Sequence, residues 1–465
     1  RWIKVPAYGR IETNKTVPAG AWPTFRHDAE RSGHVSAEVP TELASSWEVE
    51  LTGKLTQPVI ASGMLVVAEV DAHTVHALNA GTGDEIWKFT AGGRVDSPPT
   101  VYGNAVLFGS ADGWVYCLRA DDGTLAWRYR AAPRQRHVMA FGQVESAWPV
   151  HGSVLVQDGL AYVAAGRSSF LDGGIYIYAL DPATGEKRHE ARLDGPHPDL
   201  DEGPGHCFYL RGTRSEILVG DGDRVYLRQM EFTKELEQIG KPFATGLGGM
   251  EVGRHLMATS SFLDGTWYNR TYWMYSSRWP GFYHANQAPK AGQLLVFDDS
   301  TTYGLKVFYR RNTHSPMFFP GEGYILFADN NDTEPVLLEE SDPRKPVKWL
   351  PQSSYSRGPG RKSIPLDARA LNYDKGVGYT RTQPPKWTST VPVRVRAMVA
   401  TDGKLLAAGP PDTFDPDDPL ATFEGRTDAR LWITSTADGG KLAEYELHSP
   451  PVFDGMAAAQ GRLYI

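Results

Sequence analysis

Asp96, His151, His314 and His448 stand in one recurring context: Asp96-Ser-Pro-Pro99, His151-Gly-Ser-Val154, His314-Ser-Pro-Met317 and His448-Ser-Pro-Pro451. Gln57 takes the same place in Thr56-Gln-Pro58, and Arg254 and His255 lead a comparable run. Imidazoles beside a Gln or Asp can do three things. They can bind a divalent ion if their nitrogens come within roughly 2.0–2.2 Å of it, here through His151, His314 and His448. They can hold a polar ligand, or they can tie one chain segment to the next through backbone hydrogen bonds. Histidines so far apart carry no ligand spacing of their own, so each outcome depends on a fold that brings the positions together.

A second set is compact. Residues 261–284 concentrate Trp267, Arg270, Trp273, Arg278 and His284 among further Tyr and Phe. Aromatic faces stack on sugar rings and guanidinium groups bind carboxylates, so this composition suits a lid over a carbohydrate or anion. The alternative is that these aromatics are the core of an enlarged structural unit, as the alternation in Thr271-Tyr-Trp-Met-Tyr275 also allows. Arg167-Ser-Ser-Phe-Leu-Asp172 is echoed by Phe262-Leu-Asp264, which suggests two related loops on one face.

The elements that must position these residues are read from a repeat. Trp47, Trp87 and Trp127 are spaced by forty residues. Between them, short β-branched and aromatic runs such as Leu65-Val-Val-Ala68 and Thr74-Val-His-Ala-Leu78 alternate with Gly and Asn turns. That pattern predicts a four-stranded antiparallel meander. One such unit cannot bury both its faces, so copies must stack, and the closed solution is a β-propeller. Each Trp, opening an outermost strand, is expected to pack against the neighbouring unit.

Ala77-Leu-Asn-Ala-Gly-Thr-Gly-Asp-Glu-Ile-Trp87 and Ala179-Leu-Asp-Pro-Ala-Thr-Gly185 resemble the tryptophan-docking repeat of the pyrroloquinoline-quinone (PQQ) type propellers. That family includes quinoprotein alcohol dehydrogenases and the outer-membrane assembly scaffold BamB. The likeness is close over three units and loose after residue 212. Ala21-Trp-Pro-Thr-Phe-Arg-His-Asp-Ala-Glu-Arg-Ser-Gly33 resembles the lead-in ahead of the first blade in bacterial PQQ-like repeat proteins. The resemblance implies an extracytoplasmic location. It also implies, for the dehydrogenases, adjacent cysteines beside the cofactor and Ca²⁺ held by carboxylate and amide oxygens. This chain has only Cys117 and Cys207 and no haem-attachment motif, so PQQ is not expected.

Bulk properties agree. The 465 residues, with 48 Gly, 33 Pro and 11% aromatics, suffice for one large all-β domain. A formal net charge of -7 without basic runs argues against nucleic acid or an anionic membrane surface as partner. No apolar run approaches the length of a membrane span. The chain opens at Arg1 and stops inside a strand-like run at Ile465, which reads as part of a longer precursor.

The expected organisation is a lead-in over 1–45 and one propeller over 46–465. Units fall near 55–90, 96–130, 151–193, 214–238, 254–311, 314–350 and 393–447, with surface insertions near 351–390 and 410–428. An eighth would combine 448–465 with an orphan strand Ser46–Leu51; seven blades is the alternative count. In that ring Gln57, Asp96, His151, Arg254, His255, His314 and His448 converge at one channel mouth under Trp267, Arg270, Trp273 and His284. The function expected is binding of a polar ligand, carbohydrate first, with a divalent ion as an option. The alternatives are a polysaccharide lyase at that mouth, a BamB-like scaffold with protein partners on its surface loops, and a PQQ-dependent oxidoreductase.

Overall fold

The computed structural model describes residues 2–5, 7–15, 17–195, 217–228, 230–240, 250–258, 262–263, 273–279, 288–306, 324–335, 384–413 and 415–465. Among the described residues the architecture is all-β, with one helical turn at Ala421–Glu424. In the first unit Val59–Ala61, Met64–Glu69, Thr74–Asn79 and Glu85–Thr90 pair antiparallel in sequence order. The three inner strands are buried on both faces, whereas in the outer strand only Trp87 is buried. That gradient follows from stacking: inner strands lie between neighbouring sheets, outer strands face water.

The same meander recurs from Thr100 to Arg130, Leu155 to Leu193, Leu218 to Ile239 and Ala397 to Leu447. Innermost strands lie side by side, Val59–Ala61 beside Thr100–Tyr102, then Leu155–Gln157, Leu218–Gly220 and Met250–Ala258. At the other end Leu294–Phe297 lies beside Ala397–Thr401, and Ala457–Ala459 touches both Ala397–Thr401 and Val59–Ala61. Apolar clusters fill the spaces between successive sheets, joining for example Val66 and Ala77 to Val106 and Leu118.

The expected fifth and sixth units are divided differently. Met250–Ala258, Trp273–Trp279 and Ala291–Gly292 form a three-stranded sheet, and Leu294–Phe297, Thr301–Lys306, Tyr324–Asn330 and Trp387–Val391 form one four-stranded sheet. Two long segments fall inside that second sheet and hide its period. The outer strand Trp387–Val391 also takes the end of the stretch read as a 351–390 insertion. No strand spans Ser46–Leu51.

The repeated tryptophans work as expected. Each indole lies over a glycine in the turn of the neighbouring sheet: Trp47 on Gly83, Trp87 on Gly123, Trp127 on Gly185 and Trp387 on Gly439. A Cβ on any of these glycines would come within 2.6–2.7 Å of the ring, and each glycine has positive φ, so only glycine admits the contact. The indole N–H then donates to a carbonyl of the same turn region, Trp87 to Ala120 at 2.7 Å and Trp127 to Pro182 at 3.1 Å. Trp47 does this too, donating to Ala80 at 3.1 Å without strand pairing around it.

The lead-in is not a mere leader. Trp2–Lys4 adds a fifth strand outside Leu125–Arg130, and His34–Val35 pairs in parallel with Ala400–Thr401. Between them residues 20–33 run along the innermost strands of successive sheets. Trp22 bridges Ile60, Pro23 accepts from Val101 N, Ala29 from Gly220 N, Ser32 from Phe297 N, and Gly20 from Gln460 N. The fully buried Arg31 reaches the carbonyls of Leu218 and Val154, 3.1 and 3.4 Å away. A polar segment can lie in the middle because, among the described residues, the innermost strands have no other strand on their axial side, and it satisfies their backbone groups.

Candidate functional site

In an antiparallel meander the connections between sheets and the turns between second and third strands share one end of the molecule. Asp96 and His151 stand in two such connections, each four residues ahead of an innermost strand. They meet: His151 Nδ1 lies 2.7 Å from an Asp96 carboxylate oxygen, and both are buried. Arg94 Nε donates to the other Asp96 oxygen at 3.1 Å. Burial pushes the Asp96 carboxyl up, but the His151 hydrogen bond and the charges of His151 and Arg94 outweigh it and hold the group at about 2.

Three residues that sequence reasoning did not place in the site complete this cluster. Arg94 is 2% exposed, and its Nη2 lies 3.1 Å from the Glu145 carboxylate, 1% exposed. Arg167, from the loop whose echo the sequence showed, pairs with the other Glu145 oxygen. Glu145 sits on a hairpin, His137–Ala140 with Gln143–Ser146, inserted between the second and third full sheets. Phe141 at its tip covers the Arg94 guanidinium, 4.3 Å from ring centroid to Cζ. An arginine in a Gly-Gly-Arg turn and a glutamate on an inserted hairpin leave no periodic signal, so only the fold associates them.

The other expected members of the ring go elsewhere. Gln57 Nε2 donates to Phe453 O at 2.8 Å, tying the first sheet to the last connection. His255 is buried, stacked on Tyr226 at 3.8 Å, with both ring nitrogens facing the carbonyls of Gly253 and Arg228. Burial lowers its pKa against the pull of those carbonyls. Arg254 pairs with Asp332 at 3.1 Å and lies 3.7 Å from Glu334. His448 is exposed, in the bend after Lys441–Leu447 and nine residues ahead of Ala457–Ala459. His314, Trp267, Arg270 and His284 lie outside the described residues. In sequence His314 falls between the strands Thr301–Lys306 and Tyr324–Asn330. Trp273, expected in a lid, is 1% exposed and packs on Phe25 and under Arg26. Where described, the leading residues thus mostly join neighbouring sheets: Ser153 to Pro98 O and Thr100 to Val154 O are further such ties.

A polar cavity of about 550 Å³ is lined by His27, Asp28, Glu30, His34, Tyr275 and Asp298. Glu30 is exposed, yet burial of its carboxyl and the charges of Asp28, Asp221 and Asp299 raise it to about 7. Nearby Lys290 is buried on Tyr275 and Glu334, and burial lowers it to about 8 despite the Glu334 carboxylate at 3.0 Å. Among the described residues no group of three or more His, Cys, Asp or Glu side chains is arranged to hold a metal ion.

Comparison with known proteins follows this geometry. Residues 31–201 match the family described as outer membrane protein assembly factor BamB. No curated protein matches the chain. Among solved structures, quinohemoprotein alcohol dehydrogenase from Comamonas testosteroni superposes with a TM-score of 0.53 at 13% identity, over 98% of this chain and 77% of that one. A quinohemoprotein alcohol dehydrogenase from Pseudomonas putida HK5 gives 0.52 at 12%, over 95% and 76%. A europium-containing methanol dehydrogenase gives 0.50 at 12%, over 94% and 87%. Identities this low carry the fold and not the activity.

Asp96 and Glu145 are each taken by a guanidinium or imidazole, Phe141 covers Arg94, and Cys117 is a buried thiol in a strand, raised well above its ordinary pKa by burial. The chain has the fold of the PQQ-type β-propellers, and its residues 31–201 match the BamB family.

Proposed function

We propose that this protein is an extracytoplasmic interaction scaffold that docks a protein partner on the face carrying the 137–146 hairpin. We read its sheets as eight blades, the last completed by the Trp47 segment. One observation carries the scaffold reading: Met139, Phe141 and Val144 on the hairpin are 70%, 58% and 63% exposed, and Phe170 and Leu171 on the next loop are 46% and 52% exposed. Scattered exposed apolar residues are ordinary on any protein, but five on two adjoining loops are not. Arg136 holds the loops together through Asp172 at 2.6 Å. The extracytoplasmic location is supported by the family match over residues 31–201, whose name places its member in outer-membrane assembly. The carbohydrate and lyase readings have no comparable support, since Trp273 and His255 are consumed by packing.

A photoreactive side chain at Val144 should crosslink a discrete partner in cells, and one at Ile86, exposed on an outer strand, should not. Met139→Ser with Phe141→Ser should remove the crosslink at unchanged melting temperature. Equal capture from both positions, or capture indifferent to the serines, would sink the scaffold reading.

A further inference from the structure

We propose that Arg94, Arg167 and His151 form a binding site for a small hydroxycarboxylate, and that Glu145 on the 137–146 hairpin occupies its carboxylate position as a gate. The inference does not rest on the scaffold reading.

The charges argue for it. Two guanidiniums face two carboxylates, so the cluster is balanced only while Glu145 is present. Asp96 belongs to the frame, held by His151 Nδ1 at 2.7 Å and Arg94 Nε at 3.1 Å. Glu145 arrives from a separate element. Without it the frame holds two positive groups against one negative, and an anion would be drawn in. Arg167 already has its pKa lowered, by burial first and by the Arg94 charge next, as expected of two guanidiniums kept together by a shared anion.

Glu145 fills the position through two ion pairs, with Arg94 Nη2 at 3.1 Å and with Arg167. Arg167 Nε beside it is buried without a hydrogen-bond partner. Arg94 Nη1 and His151 Nε2 are also buried without a hydrogen-bond partner. Unsatisfied buried polar groups are costly, and here several sit in one cluster. A free hydroxycarboxylate in place of Glu145 can pair with the guanidiniums and reach these unpartnered groups as well. Because Asp96 accepts from His151 Nδ1, Nε2 is the nitrogen left for a ligand. In that tautomer Nε2 accepts a hydrogen bond from a hydroxyl, which is why the class is hydroxycarboxylate.

The hairpin is built to move. Among the described residues it is a two-stranded sheet that pairs with no other strand, and such hairpins are marginal alone. At its base it is held by Ser146 N to Ala111 O at 2.8 Å, Ala147 N to Arg136 O at 2.9 Å and Val138 on the adjoining core, and nearer its tip by Gln143 to His73 at 2.6 Å and to Asp71 O at 3.2 Å and by Phe141 over Arg94, with Arg136 tied to Asp172. Met139 and Val144 at the tip bury little, and Val138, directly opposite Glu145, is the one hairpin side chain on the adjoining core, so withdrawal of Glu145 uncovers little apolar surface.

The test is calorimetric titration with D-glucuronate, with D-glucose as the uncharged control. Wild type should bind glucuronate weakly, E145Q at least tenfold more tightly, and neither should bind glucose. Arg167→Gln in the E145Q background should abolish the gain, while thermal melting reports that each variant is folded. No gain in E145Q, or a gain that survives Arg167→Gln, overturns the proposal. If E145Q does not fold, wild type decides: saturating glucuronate must raise deuterium uptake across 137–146, and unchanged uptake overturns it equally. Loss of the crosslink from Val144 with glucuronate binding intact would refute the scaffold reading alone.

Discussion

The Arg26 guanidinium donates to the Asp454 carboxylate at 2.7 Å across 428 positions of sequence, with the two side chains 2% and 3% exposed. Burial pushes the Asp454 carboxyl up and Arg26 pulls it back, without fully offsetting the burial. Arg26 also donates to Arg31 O at 2.8 Å and lies 4.4 Å from the Trp273 ring centroid. One side chain therefore joins the axial segment to the last connection and to the three-stranded sheet.

Asp454→Ala leaves the Arg26 charge buried without its anion. The expected cost is about 3–5 kcal/mol, read as a shift in the urea midpoint. The double replacement Arg26→Met with Asp454→Leu should cost less than either single change. A double variant as unstable as the sum of the singles would mean the pair is not the coupling between these elements.

Trp127 is fully buried, and Trp127→Ala should cost roughly 3–5 kcal/mol by chemical denaturation. Gly185→Ala sets a Cβ 2.7 Å from that ring at φ +72, whereas Gly159→Ala has φ +74 and open space. The difference between the two glycine variants measures the indole contact apart from backbone strain. Equal losses would show that the ring yields.

Asp96 is held at about 2, below its ordinary 3.8. A depressed carboxyl contributes stability that is present above about pH 4 and lost as pH falls toward 2. The contribution is on the order of 2 kcal/mol. Melting temperatures between pH 5 and 2 should fall less steeply for Asp96→Asn than for wild type, from a lower starting value.

Glu30 has the opposite sign. Its folded value of about 7 lies above the ordinary 4.5, so its ionisation beside Asp28, Asp221 and Asp299 opposes folding. The stability it contributes is complete below about pH 4.5 and is lost as pH rises through 7. Glu30→Gln should therefore raise the melting temperature at pH 8 and leave it unchanged at pH 4. Solvent around this exposed side chain makes the effect small.

Of the candidate site, the Asp96–His151 contact was legible, because both residues hold the same place in successive units of a regular repeat. The wider ring was not. His448 stands nine residues ahead of its strand and is exposed, and His314 lies outside the described residues. Gln57 and His255 sit where the repeat puts them, but their polar atoms serve backbone carbonyls of neighbouring elements.

By itself the sequence determined the meander and the place of each repeated tryptophan. Alternation, turn glycines and a forty-residue spacing are local, and each indole needs only the turn of the next unit. Only the tertiary structure decided what lies in the middle and what gathers at the Asp96 end. Arg26, Arg31 and Glu145 sit in segments without apolar periodicity, and their partners Asp454, Leu218 and Arg94 stand 428, 187 and 51 positions away. Charged groups so far apart become buried neighbours only when stacking of the sheets removes water from between them, and no local pattern encodes that.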